Sequence, residues 1–307
     1  MEKVFKLTIL ISFFFIKGFS QNCDIPLNVI VPSQVEALDA TSESQIKNKL
    51  RHIAVQNGIG GGDFSPFALT VSLDVLNKEI IPGSTTKYAY VFNVNLFIVD
   101  TQDQKIYTST SSEVRSIGNS QPKAYVAAIK KISPKNQDIQ AFVATGRQKM
   151  MDYYNRNYST IIKRAKSYAT LRDYEKALFF LMSIPECCDG YDVVLAEVQS
   201  IYKQFVDYKC ASNLAQAQAA WASGFTRENA SVAGVFLSEI YPDAACYADA
   251  QELFKEIKKH MGKEWDFKLK QWDDRVSIEM QQLKHMREIA LAYAQNQPKE
   301  NVDIIFR

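Results

Sequence analysis

Tyr88-Ala89-Tyr90-Val91-Phe92-Asn93-Val94-Asn95-Leu96-Phe97-Ile98-Val99, followed by Asp100-Thr101-Gln102-Asp103 and then Lys105 to Val114, decides how the first third of this chain folds. Tyr88, Tyr90, Phe92, Val94 and Leu96 recur at period two, which is the spacing of one face of a strand. The Asp-Thr-Gln-Asp tetrapeptide supplies a turn, and Lys105 to Val114 returns as a second strand. Upstream, Phe67, Leu69, Val71, Leu73 and Val75 also fall on one face, so Phe67 to Ile80 is a strand as well. The three make a meander.

Helices and a short strand flank the meander. Ile46, Leu50, Ile53 and Ala54 recur at helical spacing, which predicts a helix over 42–56 with Ser42 or Ser44 as its cap. Leu27 to Val31 is a short strand ended by Pro32. Downstream, Ser120 caps a helix from about Pro122 to Ile132, with the proline in its first turn. The order is β-α-β-β-β-α. This order, carried by Val91–Asp100, Lys105–Val114 and Gly118–Ile132, resembles the small periplasmic domains of CsgG, the TolB N-terminal region and LPP20-like envelope proteins. The resemblance implies a sandwich-type α/β domain of envelope assembly.

From Ile139 to Gln297 the period-two pattern disappears and alanine rises, with Ser133-Pro134-Lys135-Asn136 marking the boundary. The expected organisation is therefore a segment 1–20, an α/β domain over 21–135, a helical domain over 139–297 and a tail over 298–307, an α+β chain. Val302 to Phe306 in the tail has the character of a strand. The helical part contains a weak repeat: Phe180-Leu181-Met182-Ser183-Ile184-Pro185, Cys188 and Tyr191 return as Phe236 to Ile240, Pro242, Cys246 and Tyr247. Tyr168-Ala169, Asp173 to Leu178 and Pro185 resemble a tetratricopeptide unit, although the Trp and Gly-Tyr positions of that motif's first helix are unmatched. The likeness implies stacked helical hairpins and a protein-binding face. Leu253, Ile257, Met261, Trp265, Leu269, Trp272, Val276, Leu283 and Met286 follow three-to-four spacing. They predict a final helical stretch over about 244–294, spanning ~75 Å if Gly262 does not bend it.

Composition bounds the function. The chain is 47% hydrophobic, which supports a sizeable core, and carries 36 Lys+Arg against 34 Asp+Glu. Lys3 and Lys6 precede an apolar run from Leu7 to Ile16, and Gly18-Phe19-Ser20 ends the segment, the pattern of a secretory signal cleaved after Ser20. The run is about half of a membrane span. Cleavage removes Lys3, Lys6, Lys17 and Glu2, which balances the two charge counts, so no basic field for nucleic acid exists. Gln21-Asn22 before Cys23 is a poor lipoprotein signal. The expectation is an exported protein with no membrane span after cleavage, in the periplasm or released outside the cell.

Few residues suggest chemistry. Asn57 to Asp63 is glycine-rich, yet no Lys-Ser/Thr or helix follows, so the glycines are expected to turn a helix into a strand. His52, His260 and His285 lie in no metal or catalytic spacing and are expected on helix surfaces or core edges. No catalytic, cofactor-binding or metal-binding constellation stands out. Cys23, Cys187, Cys188, Cys210 and Cys246 are the disulfide candidates in an oxidising compartment. A helix over 189–207 separates Cys188 from Cys210 by ~28 Å, too far to bridge. If Ala211–Ala222 and Arg227–Ile240 form an antiparallel hairpin, Cys246 comes back to Cys210, and that pair is the predicted bridge. Cys187 or Cys188 either reaches Cys23 or stays reduced. Between Lys255 and Arg275, lysines mix with Trp265, Phe267 and Trp272, but carboxylates cancel the charge, so these aromatics are packing residues or a partner-binding face. The reading is a non-enzymatic interaction or assembly factor whose partner is another envelope protein, with self-association left open. The alternatives are a structural subunit of an envelope or secreted assembly, and an enzyme whose site lies between the domains, using carboxylates such as Asp63, Asp74 and Asp100.

Overall fold

The structure, a computed structural model, describes residues 25–32, 38–59 and 65–296. The signal segment, Cys23, Asp63 and the 302–306 stretch lie outside them.

Four strands form one sheet in the order β1 (Asn28–Val29), β2 (Phe67–Ile81), β3 (Lys87–Asp100) and β4 (Lys105–Gly118). β1 runs parallel to β2, and the other three are an antiparallel meander. The period-two residues of β3 do what alternation requires: Tyr90, Phe92, Val94, Leu96 and Ile98 are buried, and Asn93 and Asn95 face the other way. On that second face Asn95 is the centre of a polar cluster. It donates to Ser72 and to Asp74 Oδ2 at 2.7 Å and accepts from Asn93 and Ser111.

The helices cover the apolar face. α1 (Ala40–Gln56) buries Ile46, Leu50, Ile53 and Ala54. Its cap is Asp39, not Ser42 or Ser44: the Asp39 carboxylate accepts the Ser42 N–H at 2.7 Å, and that bond holds the carboxyl below its usual range. α2 (Gln121–Lys131) is capped by Ser120 as expected and sets Tyr125 edge-on against Phe92, ring centres 4.7 Å apart. The domain is therefore two layers, one sheet and one helical layer.

α3 (Gln137–Thr170) is 34 residues long, ~51 Å at ~1.5 Å per residue, and joins the two halves of the molecule. Its first half lies on the sheet, where Gly146 sits against Ile98 and Thr108 so closely that a Cβ would collide with Ile98 Cδ1. Tyr153 and Tyr154 meet Phe67 edge-on at 5.4 and 5.6 Å. Its second half packs on α4 (Tyr174–Met182), stacking Tyr168 on Phe180 at 5.5 Å. α5 (Tyr191–Ala222), α6 (Arg227–Ser238) and α7 (Tyr247–Met261) follow. One continuous apolar core runs through both halves.

The repeat is a repeat of backbone. At the α4–α5 corner, Ile184, Cys188, Tyr191 and Val194 donate to Leu181, Pro185, Cys188 and Gly190 carbonyls. At the α6–α7 corner, Ile240, Ala244, Tyr247 and Ala250 donate to Leu237, Tyr241, Ala244 and Cys246 carbonyls, the same pattern shifted along the chain. The matching places Cys246 at the position of Gly190, not of Cys188. Each unit pairs a shorter helix with a longer one: α4 has 9 residues and α5 32, α6 has 12 and α7 15.

The expected long final helix is interrupted. α7 ends at Gly262, whose φ of +73° is a left-handed conformation that stops the helix. Residues 265–273 are then extended, and α8 begins only at Ile278 and runs to Asn296. Trp265, Phe267 and Leu269 alternate with exposed Asp266 and Lys268, a period-two signal that the three-to-four spacing of the same residues masks.

Candidate functional site

The α6–α7 corner, the extended strap, α5 and α8 converge on one polar cluster. Tyr202 on α5 and His285 on α8 meet with Tyr202 Oη 3.0 Å from His285 Nδ1, and which atom donates depends on the tautomer of the ring. Tyr241 from the corner stacks on the other side of the imidazole, ring centres 3.8 Å apart. Lys270 from the strap lies over Tyr241 at 3.9 Å and pairs with Glu239 at 2.9 Å. Asp243 accepts from Gln282 of α8 through Oδ2 at 2.9 Å. Its Oδ1 is buried beside the Tyr202 hydroxyl.

The electrostatics follow from burial. Desolvation, aided by the Lys270 charge, pushes the His285 imidazole down to about 4. Burial and the neighbouring Asp243 carboxylate raise the Tyr202 hydroxyl well above the usual phenol range. For Lys270, burial works against the charge, and hydrogen bonds to Glu239 and Tyr241 outweigh it and raise the ammonium. At neutral pH the cluster holds a neutral imidazole and a neutral phenol. With Tyr202 2% and His285 8% exposed, these groups fasten α8 and the strap to the helical stack.

Cysteines frame the cluster. Cys210 on α5 is bonded to Cys246 beside it, Cα atoms 6.0 Å apart. The hairpin of α5 and α6 explains it, because α6 returns along α5 and brings residue 246 level with residue 210. At the other corner Cys187 is disulfide-bonded and lies with Sγ 3.5 Å from Met151 Sδ. Cys188 is free and buried, and burial raises its thiol.

The aromatics expected to face a partner divide. Trp265 is buried at 4% exposure, and its Nε1 donates to the Ala230 carbonyl at 2.9 Å. Phe267 is half-buried against Trp265 and Gly234, where a Cβ would run into its ring. Those two are packing residues, the first of the two readings, because the strap alternates them inward. Trp272 is half-buried beside Tyr241. His52 and His260 are exposed on their helices, whereas His285 is core. The carboxylates weighed for an enzyme are not brought together. Asp100 is buried and accepts the Gln102 and Asp103 amides of its own turn, and burial raises it. Asp74 accepts from Asn95 and lies seven strand positions, ~23 Å, from Asp100. Among the described residues, no group of three or more His, Cys, Asp or Glu could hold a metal ion. None of the described helices is long and apolar enough to cross a membrane. Tyr202, Tyr241, Asp243 and Lys270 escape sequence reasoning, since 83 positions separate Tyr202 from His285.

No family model and no curated protein matches this chain, so neither the envelope-domain likeness nor the tetratricopeptide likeness gains a family match. Solved structures that are similar in part include two lipoproteins. A minor lipoprotein from Acinetobacter baumannii is 13% identical over 43% of this chain and 92% of its own, with a TM-score of 0.22. A candidate lipoprotein from Caulobacter crescentus CB15 is 12% identical over 40% of this chain and 84% of its own, with a TM-score of 0.19. Likeness at these scores carries no argument about function.

Proposed function

We propose that this chain is an exported, non-enzymatic protein-interaction or assembly factor of the bacterial cell envelope. The observation that carries the reading is the repeated helix–corner–helix unit of α4–α5 and α6–α7. Units of this kind bury against their neighbours and leave an extended side on which another protein can lie. The secretory pattern of residues 1–20 supports the compartment. The disulfide between Cys210 and Cys246 supports an oxidising one. The test is affinity capture from the native host's envelope by the mature full-length protein, read by mass spectrometry. The expected result is one defined envelope protein, with recovery reduced by Trp272→Ala. Recovery of nothing above an unrelated exported control removes the reading.

A further inference from the structure

We infer that Cys187 is bonded to Cys23, so that the start of the exported chain is stapled to the α4–α5 corner and the Cys23 sulfur is closed to lipid attachment.

The assignment begins with a count. The chain has five cysteines. Cys210 and Cys246 are bonded to each other, Cys188 is free, and Cys187 is disulfide-bonded. Within one chain, Cys23 is the partner that remains. The corner also sorts the two adjacent cysteines. Cys188 is 4% exposed and belongs to the core, whereas Cys187 is exposed and open to another segment.

The fold brings both ends to one stretch of α3. From the corner, Cys187 Sγ lies 3.5 Å from Met151 Sδ, and the Asp189 N–H donates to Asn155 at 3.0 Å. From the sheet, the Ser65 hydroxyl donates to the Pro26 carbonyl at 2.7 Å and accepts the Phe67 N–H, and Phe67 packs edge-on against Tyr153 and Tyr154. The buried Tyr154 hydroxyl has Ser65 beside it from the sheet and Ser183, the residue that ends α4, from the corner. Cys23 precedes the buried Ile25 by two positions, at most ~7 Å of extended chain, and a disulfide spans ~6 Å more between Cα atoms. Pro26 and Ser183 are linked through only Ser65 and the Tyr154 hydroxyl, a gap that this reach covers.

The bond has two consequences. β1 pairs with β2 through only two residues, Asn28 and Val29, so a covalent tie a few positions upstream holds its end in place. A sulfur shared with Cys187 also has no valence left for a lipid thioether. Forming the bond removes two hydrogens from the two thiols. They pass by thiol–disulfide exchange to a protein disulfide of the oxidising compartment, which leaves as a dithiol.

The experiment uses the full chain exported from its native host, alkylated without reduction, digested and read by tandem mass spectrometry. The Cys23 peptide should appear joined to the Cys187 peptide, two hydrogens lighter than their sum, with Cys188 alone alkylated. In Cys188→Ser the joined peptide should persist and no thiol should be alkylated. In Cys23→Ser both Cys187 and Cys188 should be alkylated while Cys210–Cys246 stays intact. Hydrogen exchange at the Ile30 amide, which donates to the Leu69 carbonyl at 3.1 Å, should then rise at least tenfold with α5 unchanged. Cys23 carrying a lipid or an alkyl label overturns the proposal. So does Cys187 joined to a second copy, or Cys23 joined to Cys188 in the unmodified chain. Unchanged exchange at Ile30 in Cys23→Ser overturns the stapling of β1.

Discussion

The α4–α5 corner, Pro185 to Gly190, and the α6–α7 corner, Tyr241 to Cys246, are built on the same amide-to-carbonyl bonds and filled with different chemistry. The first holds a disulfide-bonded Cys187 next to the free, buried Cys188, and a glycine tucked under Tyr158. The second holds Cys246 of the Cys210 bond, a half-buried Asp243 and an aromatic ring stacked on histidine. A turn satisfied by its own backbone leaves its side chains free to diverge, and here one corner became a close-packed joint and the other a polar anchor for α8.

The disulfide gives the largest way to break this comparison. Cys210→Ser should lower unfolding free energy by about 4 kcal/mol in urea titration, the loop-closure value for a separation of 36 residues. Cys188→Ser, at the free buried thiol of the other corner, should cost about 1 kcal/mol. Equal losses would mean that the bond adds nothing at its corner.

Acid should act on the second corner. The unfolded His285 takes a proton near 6.5, while the folded one resists until about 4. The unfolded state therefore binds more protons between those values, and stability falls as pH drops through them, by roughly 1.4 kcal/mol per unit. Urea midpoints at pH 7 and 4.5 should differ by roughly 2–3 kcal/mol more in the unmodified chain than in His285→Phe. A histidine variant with the same slope would exonerate the cluster.

Gly190→Ala sharpens the first corner. Its φ of −97° suits any residue, so the loss reports only the collision of the new methyl with the Tyr158 ring. About 1–3 kcal/mol is expected in thermal unfolding, and Tyr158→Ala should cancel part of it in a double-mutant cycle. The smallest effect belongs to Arg287→Ala. Its 3.8 Å pairing with Glu186 joins side chains 58% and 75% exposed, so less than about 0.5 kcal/mol should be lost.

Much of this fold was legible. The meander follows from alternation in Phe67–Ile80, Tyr88–Val99 and Lys105–Val114, because one buried face forces period two. Ser120 was legible as a cap, and Cys210 with Cys246 as neighbours, since a short antiparallel hairpin fixes which residues come level. The strap was misread because Trp265, Leu269 and Trp272 satisfy a helical period while Trp265, Phe267 and Leu269 satisfy an extended one. Gly262 decided between them. The candidate site was not legible, because each of its residues looks ordinary within its own segment.

What the sequence determined by itself, then, is local: the strands of the meander, most of the helices, the Ser120 cap, and that two corners repeat. Those properties depend on periodicity and on bonds between residues a few positions apart. Only the tertiary structure decided that α8 folds back across both corners and that Tyr241, Asp243 and Lys270 gather around the buried Tyr202–His285 pair. That arrangement depends on contacts between segments far apart in the chain, whose energies come from desolvation and packing that no single segment carries.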